Sequence, residues 1–89
     1  MKIKDGFILR SICGDYAVVG EGLAQVNFNK LLSLNETAAF LWKEVEGKEF
    51  TREDLVKLLL DNYEVTPEVA GPDVDKLLNT WITEGVVEE

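Results

Sequence analysis

Covalent chemistry needs a nucleophile, a proton carrier, paired carboxylates, a metal cage or a phosphate loop, and few residues of this sequence could supply one. Cys13 is the only cysteine and there is no histidine. That removes an intramolecular disulfide, a structural zinc site and the commonest general base. A thiol becomes a nucleophile when a base or a positive field stabilises its thiolate, and Asp15, two residues from Cys13, adds charge of the wrong sign. Cys13 therefore reads as a small residue at a hairpin end. Carboxylates work in pairs in glycosidases and in cages around divalent metals. Glu44, Glu46, Glu49, Glu53, Asp54, Asp61 and Glu64 fall instead on helix exteriors and caps, and Asp73, Asp75 and Glu84 lie off an apolar stripe. With no Asp-x-Asp-x-Asp-Gly loop, these are solvated faces. Gly20-Glu21-Gly22 begins like a dinucleotide loop, but Gln25 stands where a third glycine belongs and no helix follows directly, so it is a turn. Asn35-Glu36-Thr37 matches a glycosylation sequon and suits a helix start better.

Two large aromatic residues remain. Trp42 sits among Phe40, Leu41 and Val45, and Trp81 among Leu77, Leu78 and Ile82, which makes both candidates for the core. Trp81 admits a second reading. A tryptophan at the edge of a helical stripe, near a strand with unpaired backbone, also suits an anchor for an added peptide.

The elements that must position these residues are legible in order. Phe7–Ile12 and Tyr16–Val19 are β-branched and aromatic runs joined by Cys13-Gly14-Asp15, a hairpin. After the glycine break, Gln25-Val26-Asn27-Phe28 and Leu31-Leu32-Ser33-Leu34 flank an Asn29-Lys30 turn, suggesting a second hairpin or one bent strand. A first helix is expected from about Asn35 to Val45, with Asn35 as N-cap, Leu34 stapled on Ala39 and Gly47 at the C-terminal end; Ser33 with Glu36 is an alternative capping box. Thr51 with Asp54 opens a second helix whose Leu55, Leu58, Leu59 and Tyr63 share a face. A third follows Thr66-Pro67, with Val74, Leu77, Leu78, Trp81 and Ile82 as its stripe; Gly71-Pro72 interrupts it, so it starts at Pro67 or at Pro72. Gly85 ends it, and Val86-Val87 fold back. Strands first and helices afterwards predict an α+β fold, winged-helix-like, with three and possibly four N-terminal antiparallel strands packed on three C-terminal helices. The 89 residues suffice for one domain, 1–89, and not for a site between two.

Composition narrows the partners. Apolar residues are 46% and charged residues 29%, a balance that folds. Seventeen acidic against nine basic residues give a net charge of −8, which repels nucleic-acid phosphates and anionic headgroups, so partners should be basic or apolar. No window of about eighteen apolar residues exists and Met1–Gly6 lacks an apolar h-region, so neither membrane insertion nor export is expected and a cytoplasmic setting is.

Leu34-Asn35-Glu36-Thr37-Ala38-Ala39-Phe40-Leu41-Trp42 resembles the PqqD-like family, the recognition domains for ribosomally made, post-translationally modified peptides. Phe7–Arg10, Thr51–Val56, Tyr63–Val65, Asp73–Leu78 and Glu84–Val87 are similar to family positions too, so the resemblance covers nearly the whole chain. It implies a three-stranded sheet on three helices, in which a precursor's leader peptide adds as an extra strand beside the third strand and lies against the third helix. Carried over, the pairing edge is Leu31, Leu32, Ser33 and Leu34, and the facing helix offers Asp73, Lys76, Leu77, Thr80 and Trp81. The chain departs from the family in two places: Gln25–Phe28 looks like an additional strand that could itself be the edge, and Gly71-Pro72 falls where a smooth third helix is expected. The implied partner is a separate modifying enzyme, a radical-SAM protein or another. The chain itself carries no iron–sulfur cysteines, and no cofactor is expected of it.

Rival functions weigh less. A DNA-binding regulator needs several cations, and the third helix has Lys76 as its one base beside Asp73, Asp75 and Glu84. A stand-alone enzyme lacks histidine, metal ligands and a phosphate loop. A structural or regulatory subunit of a larger complex remains the alternative. A homodimer through the same free edge is a further expectation.

Overall fold

A computed structural model describes residues 1–22 and 31–88. In chain order these form β1 (Lys2–Ile3), β2 (Phe7–Ile12), β3 (Asp15–Gly20), β4 (Leu32–Leu34), α1 (Glu36–Val45), α2 (Arg52–Asn62), α3 (Pro67–Thr83) and β5 (Val87–Glu88). The fold is α+β, with an antiparallel sheet in the order β2-β3-β4 and a separate antiparallel pair, β1-β5. The expected strand at Gln25–Phe28 and the Asn29-Lys30 turn lie outside the described residues.

The β2–β3 hairpin turns on two residues, since Ile12 pairs with Asp15. Cys13 and Gly14 both take positive φ, 51° and 85°, the conformation that matches the twist of the flanking strands. Asp15 thus belongs to the strand rather than to the turn. β4 is shorter than Leu31–Leu34: Leu31 precedes it, and Leu32, Ser33 and Leu34 pair with Val18, Ala17 and Tyr16.

Each helix start has a local cause. Asn35 Oδ1 accepts from the Ala38 N–H at 2.8 Å, so Asn35 is the cap of α1 rather than Ser33. Thr51 and Asp54 form a reciprocal capping box on α2, with bonds of 3.2 and 2.9 Å. α3 begins at Pro67, where a missing N–H costs nothing, and runs through Pro72. Glycine at 71 explains why the second proline is tolerated, because the clash that disfavours a helical residue before proline involves that residue's Cβ. At the other end, Gly85 (φ 79°) donates to the Ile82 carbonyl and Val86 to the Trp81 carbonyl, the paired bonds of a Schellman motif. That motif turns Val86 and Val87 into the core.

β1 and β5 pair through Lys2↔Glu88 and Ile3↔Val87, extended by Lys4 N–H to the Val86 carbonyl. Met1 and Phe50 exchange two backbone bonds, of 2.7 and 2.8 Å, which fasten the same end to the α1–α2 loop. The core joins Val18 and Leu34 of the sheet to Leu41, Trp42, Leu55, Leu59, Val74, Leu78 and Trp81 of the helices. Trp42 and Trp81 meet edge to face at its centre, with centroids 5.2 Å apart at 82°. Ile82, expected on the buried stripe, is exposed. It directly follows Trp81, about 100° further around the helix, which turns it away from the core.

Candidate functional site

β3 covers one side of β4, and among the described residues no strand covers the other. A groove of about 540 Å³ opens beside it, and none of its lining residues comes from β3. One wall is Ser33 and Leu34 of β4, and the opposite wall is Asp73, Lys76, Leu77 and Thr80 of α3. The two walls face each other because α3 packs on α2 while β4 runs directly into the Asn35 cap of α1. The floor is apolar: Leu41, Leu59, Val74 and Trp81, all buried. Asn35, Thr37 and Ala38 close the end at the start of α1. Tyr63 and Val65 form a lip after α2.

The structure thus brings seven of the nine expected residues together around one groove: Ser33, Leu34, Asp73, Lys76, Leu77, Thr80 and Trp81. Leu31 and Leu32 do not line it. Leu32 is half-buried in the sheet, and Leu31, 61% exposed, stands at the approach to β4. Trp81 is 0% exposed, so it serves as the floor and as a core residue at once. Neither its Nε1 nor that of Trp42 has an acceptor among the described residues. Thr80 donates its hydroxyl to the Lys76 carbonyl at 3.2 Å, one turn back along the wall.

Several lining residues were not expected, Tyr63 foremost. Its ring meets Phe40 edge to face with centroids 5.7 Å apart, which fixes it at the lip while leaving it 37% exposed. Leu59 and Tyr63 stand four residues apart on the apolar face of α2, so their spacing was the available signal; it marks the face without telling which end of that face stays open.

Among the described residues the charges lining the groove are one of each sign on the wall, Asp73 and Lys76. Behind the wall, Arg52 at the start of α2 binds Asp75 of α3 through both Nε and Nη2. The hydrogen bond from Arg52 holds the Asp75 carboxyl below the usual carboxylate range, and the same bond raises the guanidinium. Among the described residues no group of histidine, cysteine, aspartate and glutamate side chains could hold a metal ion, and no helix is long and apolar enough to cross a membrane. What the site offers, among the described residues, is a backbone edge with no strand beside it, an apolar floor and a polar rim.

Two solved structures share this fold. One is "TbiB1 in Complex with the TbiA(beta) Leader Peptide", with a TM-score of 0.74 and 19% identity over 99% of this chain and 95% of that one. The other is "Lasso peptide synthetase B1 complexed with the leader peptide", with a TM-score of 0.72 and 16% identity over 99% of this chain and 96% of that one. No curated protein matches the chain in sequence. Residues 15–87 match the family described as coenzyme PQQ synthesis protein D (PqqD), and the chain belongs to that family. The matched span takes in β3, β4 and all three helices, and with them every residue that lines the groove.

Proposed function

We propose that this chain is a non-catalytic binding module that captures the leader segment of a precursor peptide by strand addition at β4 and presents it to a separate modifying enzyme in the cytoplasm. The observation that carries the reading is the edge of β4, which no described strand covers, set beside an apolar-floored groove in a fold shared with two solved complexes with leader peptides. Backbone groups of Leu32, Ser33 and Leu34, with Leu31 leading in, pair with the incoming strand. An edge strand has the donors and acceptors already aligned, so pairing supplies affinity and side-chain pockets supply selectivity. Leu77 and Tyr63 flank the peptide's inward side chains, Val74 and Trp81 lie beneath them, and Asp73, Lys76 and Thr80 set polar contacts along the rim. A radical-SAM protein or another modifying enzyme then acts on the core segment beyond the leader. A second copy of the chain can use the same edge, so self-association competes with peptide.

The test is a backbone amide titration by NMR with the synthetic leader of the precursor encoded beside this gene, at moderate salt. Shifts concentrated in residues 31–34 and 73–81 are expected. A folded monomer that shows no shifts would sink the reading and favour the structural-subunit alternative.

A further inference from the structure

The proline inside α3 and the ion pair beside it play no part in lining the groove, yet they lie immediately behind its wall. Pro72 has no N–H, so the helical bond to the Glu68 carbonyl is missing and that turn is held by one bond fewer. Gly71 is buried, and a Cβ placed there would meet Arg52 Nη2 at 3.0 Å. Four residues on, and so on the same face of the helix, Asp75 accepts from both Nε and Nη2 of Arg52. The guanidinium therefore spans α3 from Gly71 to Asp75, across the turn that Pro72 weakens. Asp73 and Lys76, which line the groove, belong to that same stretch.

We propose that Arg52 is a positioning residue for peptide capture: its planar fork, seated against Gly71 and paired with Asp75, fixes the course of α3 across the proline so that Asp73, Lys76 and Leu77 face the β4 edge. The inference rests on the peptide-reading function above. A half-exposed ion pair adds little to global stability. Its effect here is local, because a helix with a missing bond bends at that point and a two-pronged contact across the gap selects one bend. Lysine cannot replace it, since a point charge makes no fork.

Pro72→Ala separates positioning from stability. It restores the N–H that the Glu68 carbonyl lacks, so in that background the helix holds its course without the fork and Arg52→Lys loses its effect. The probe is a fluorescein-labelled peptide selected from a displayed random library on the unaltered domain and shown by amide shifts to occupy the groove. Arg52→Lys is expected to weaken its binding about threefold or more, with a thermal midpoint within a few degrees of the unaltered domain, and to have little effect beside Pro72→Ala. Arg10→Lys, in the ion pair with Glu21, should leave binding unchanged. Unaltered affinity in Arg52→Lys overturns the inference, and so does an equal loss on Arg52→Lys with and without Pro72→Ala. If no selected peptide shifts the groove amides of the unaltered domain, it is the peptide-reading function that fails.

Discussion

Trp81→Ala should unseat the fold before it reports on the groove. The indole is 0% exposed and meets Trp42 edge to face at 5.2 Å, so its removal opens a cavity at the centre of the core. Truncating a buried tryptophan to alanine costs about 3–5 kcal/mol. A domain this small has about 5–15 kcal/mol of total stability, and each kcal/mol is worth roughly 4–8 °C in the midpoint. The midpoint of Trp81→Ala is therefore expected to fall by about 12–40 °C. Leu77→Ala is the companion variant. Leu77 is half-buried on the groove wall, so its truncation should cost the fold far less while weakening peptide binding by about tenfold. Thermal unfolding followed by circular dichroism, with and without peptide, reads both effects, because a ligand bound only by the folded state raises the midpoint with its concentration. A Trp81→Ala midpoint within about 5 °C of the unaltered domain would refute the argument that groove floor and core are the same residues.

Three further outcomes follow from the same geometry. Ser33→Pro removes one N–H from a three-residue edge strand; peptide affinity should fall roughly fivefold to tenfold while helical circular dichroism is unchanged. Asn35→Ala deletes the acceptor for the Ala38 N–H and should cost about 1 kcal/mol, seen as a midpoint several degrees lower in the absence of peptide. Asp75→Asn tests the Arg52 pair by pH: the folded carboxyl titrates below its unfolded value, so the stability it contributes is present at neutral pH and is lost as pH falls through the folded pKa. The small midpoint difference between Asp75→Asn and the unaltered domain should therefore close in acid below the ordinary aspartate value of about 3.9, and a difference independent of pH would argue against the pair.

What the sequence disclosed is what local chemistry decides. The Thr51–Asp54 box and the Gly85 stop each act within a turn of chain, so each is readable from a few residues, whereas Asn35 against Ser33 and Pro67 against Pro72 left two helix starts open until packing chose between them. Pairing of β1 with β5 is not local. Two residues at each end carry no periodicity, and nothing in Lys2-Ile3 announces Val87-Glu88. The expected α3 residues and the expected edge at Leu31–Leu34 both came from the family resemblance, with Gln25–Phe28 left as a rival edge. The floor and lip draw on α1 and α2, whose apolar stripes looked like ordinary core because most of their length is core. Trp81 belonged to both readings for the same physical reason: it is buried in the core and lines the groove at once.

On the proposed function, that economy explains why the chemistry of this sequence looked so empty. Recognition through a strand edge is done by backbone groups, which every residue except proline carries, so β4 leaves no signature of its own in Leu32-Ser33-Leu34. Caps and core fix where that backbone stands: Asn35 pins β4 to α1, and Trp42 and Trp81 hold α1 against α3 across the groove floor. Few side chains are then left to choose the peptide. Asp73, Lys76, Leu77 and Thr80 stand on the rim, and of these four Leu77 packs against the buried core. Exchanges there should alter which leader is captured while leaving the midpoint within a few degrees, whereas exchanges at the caps or the indole pair should alter the midpoint for any leader.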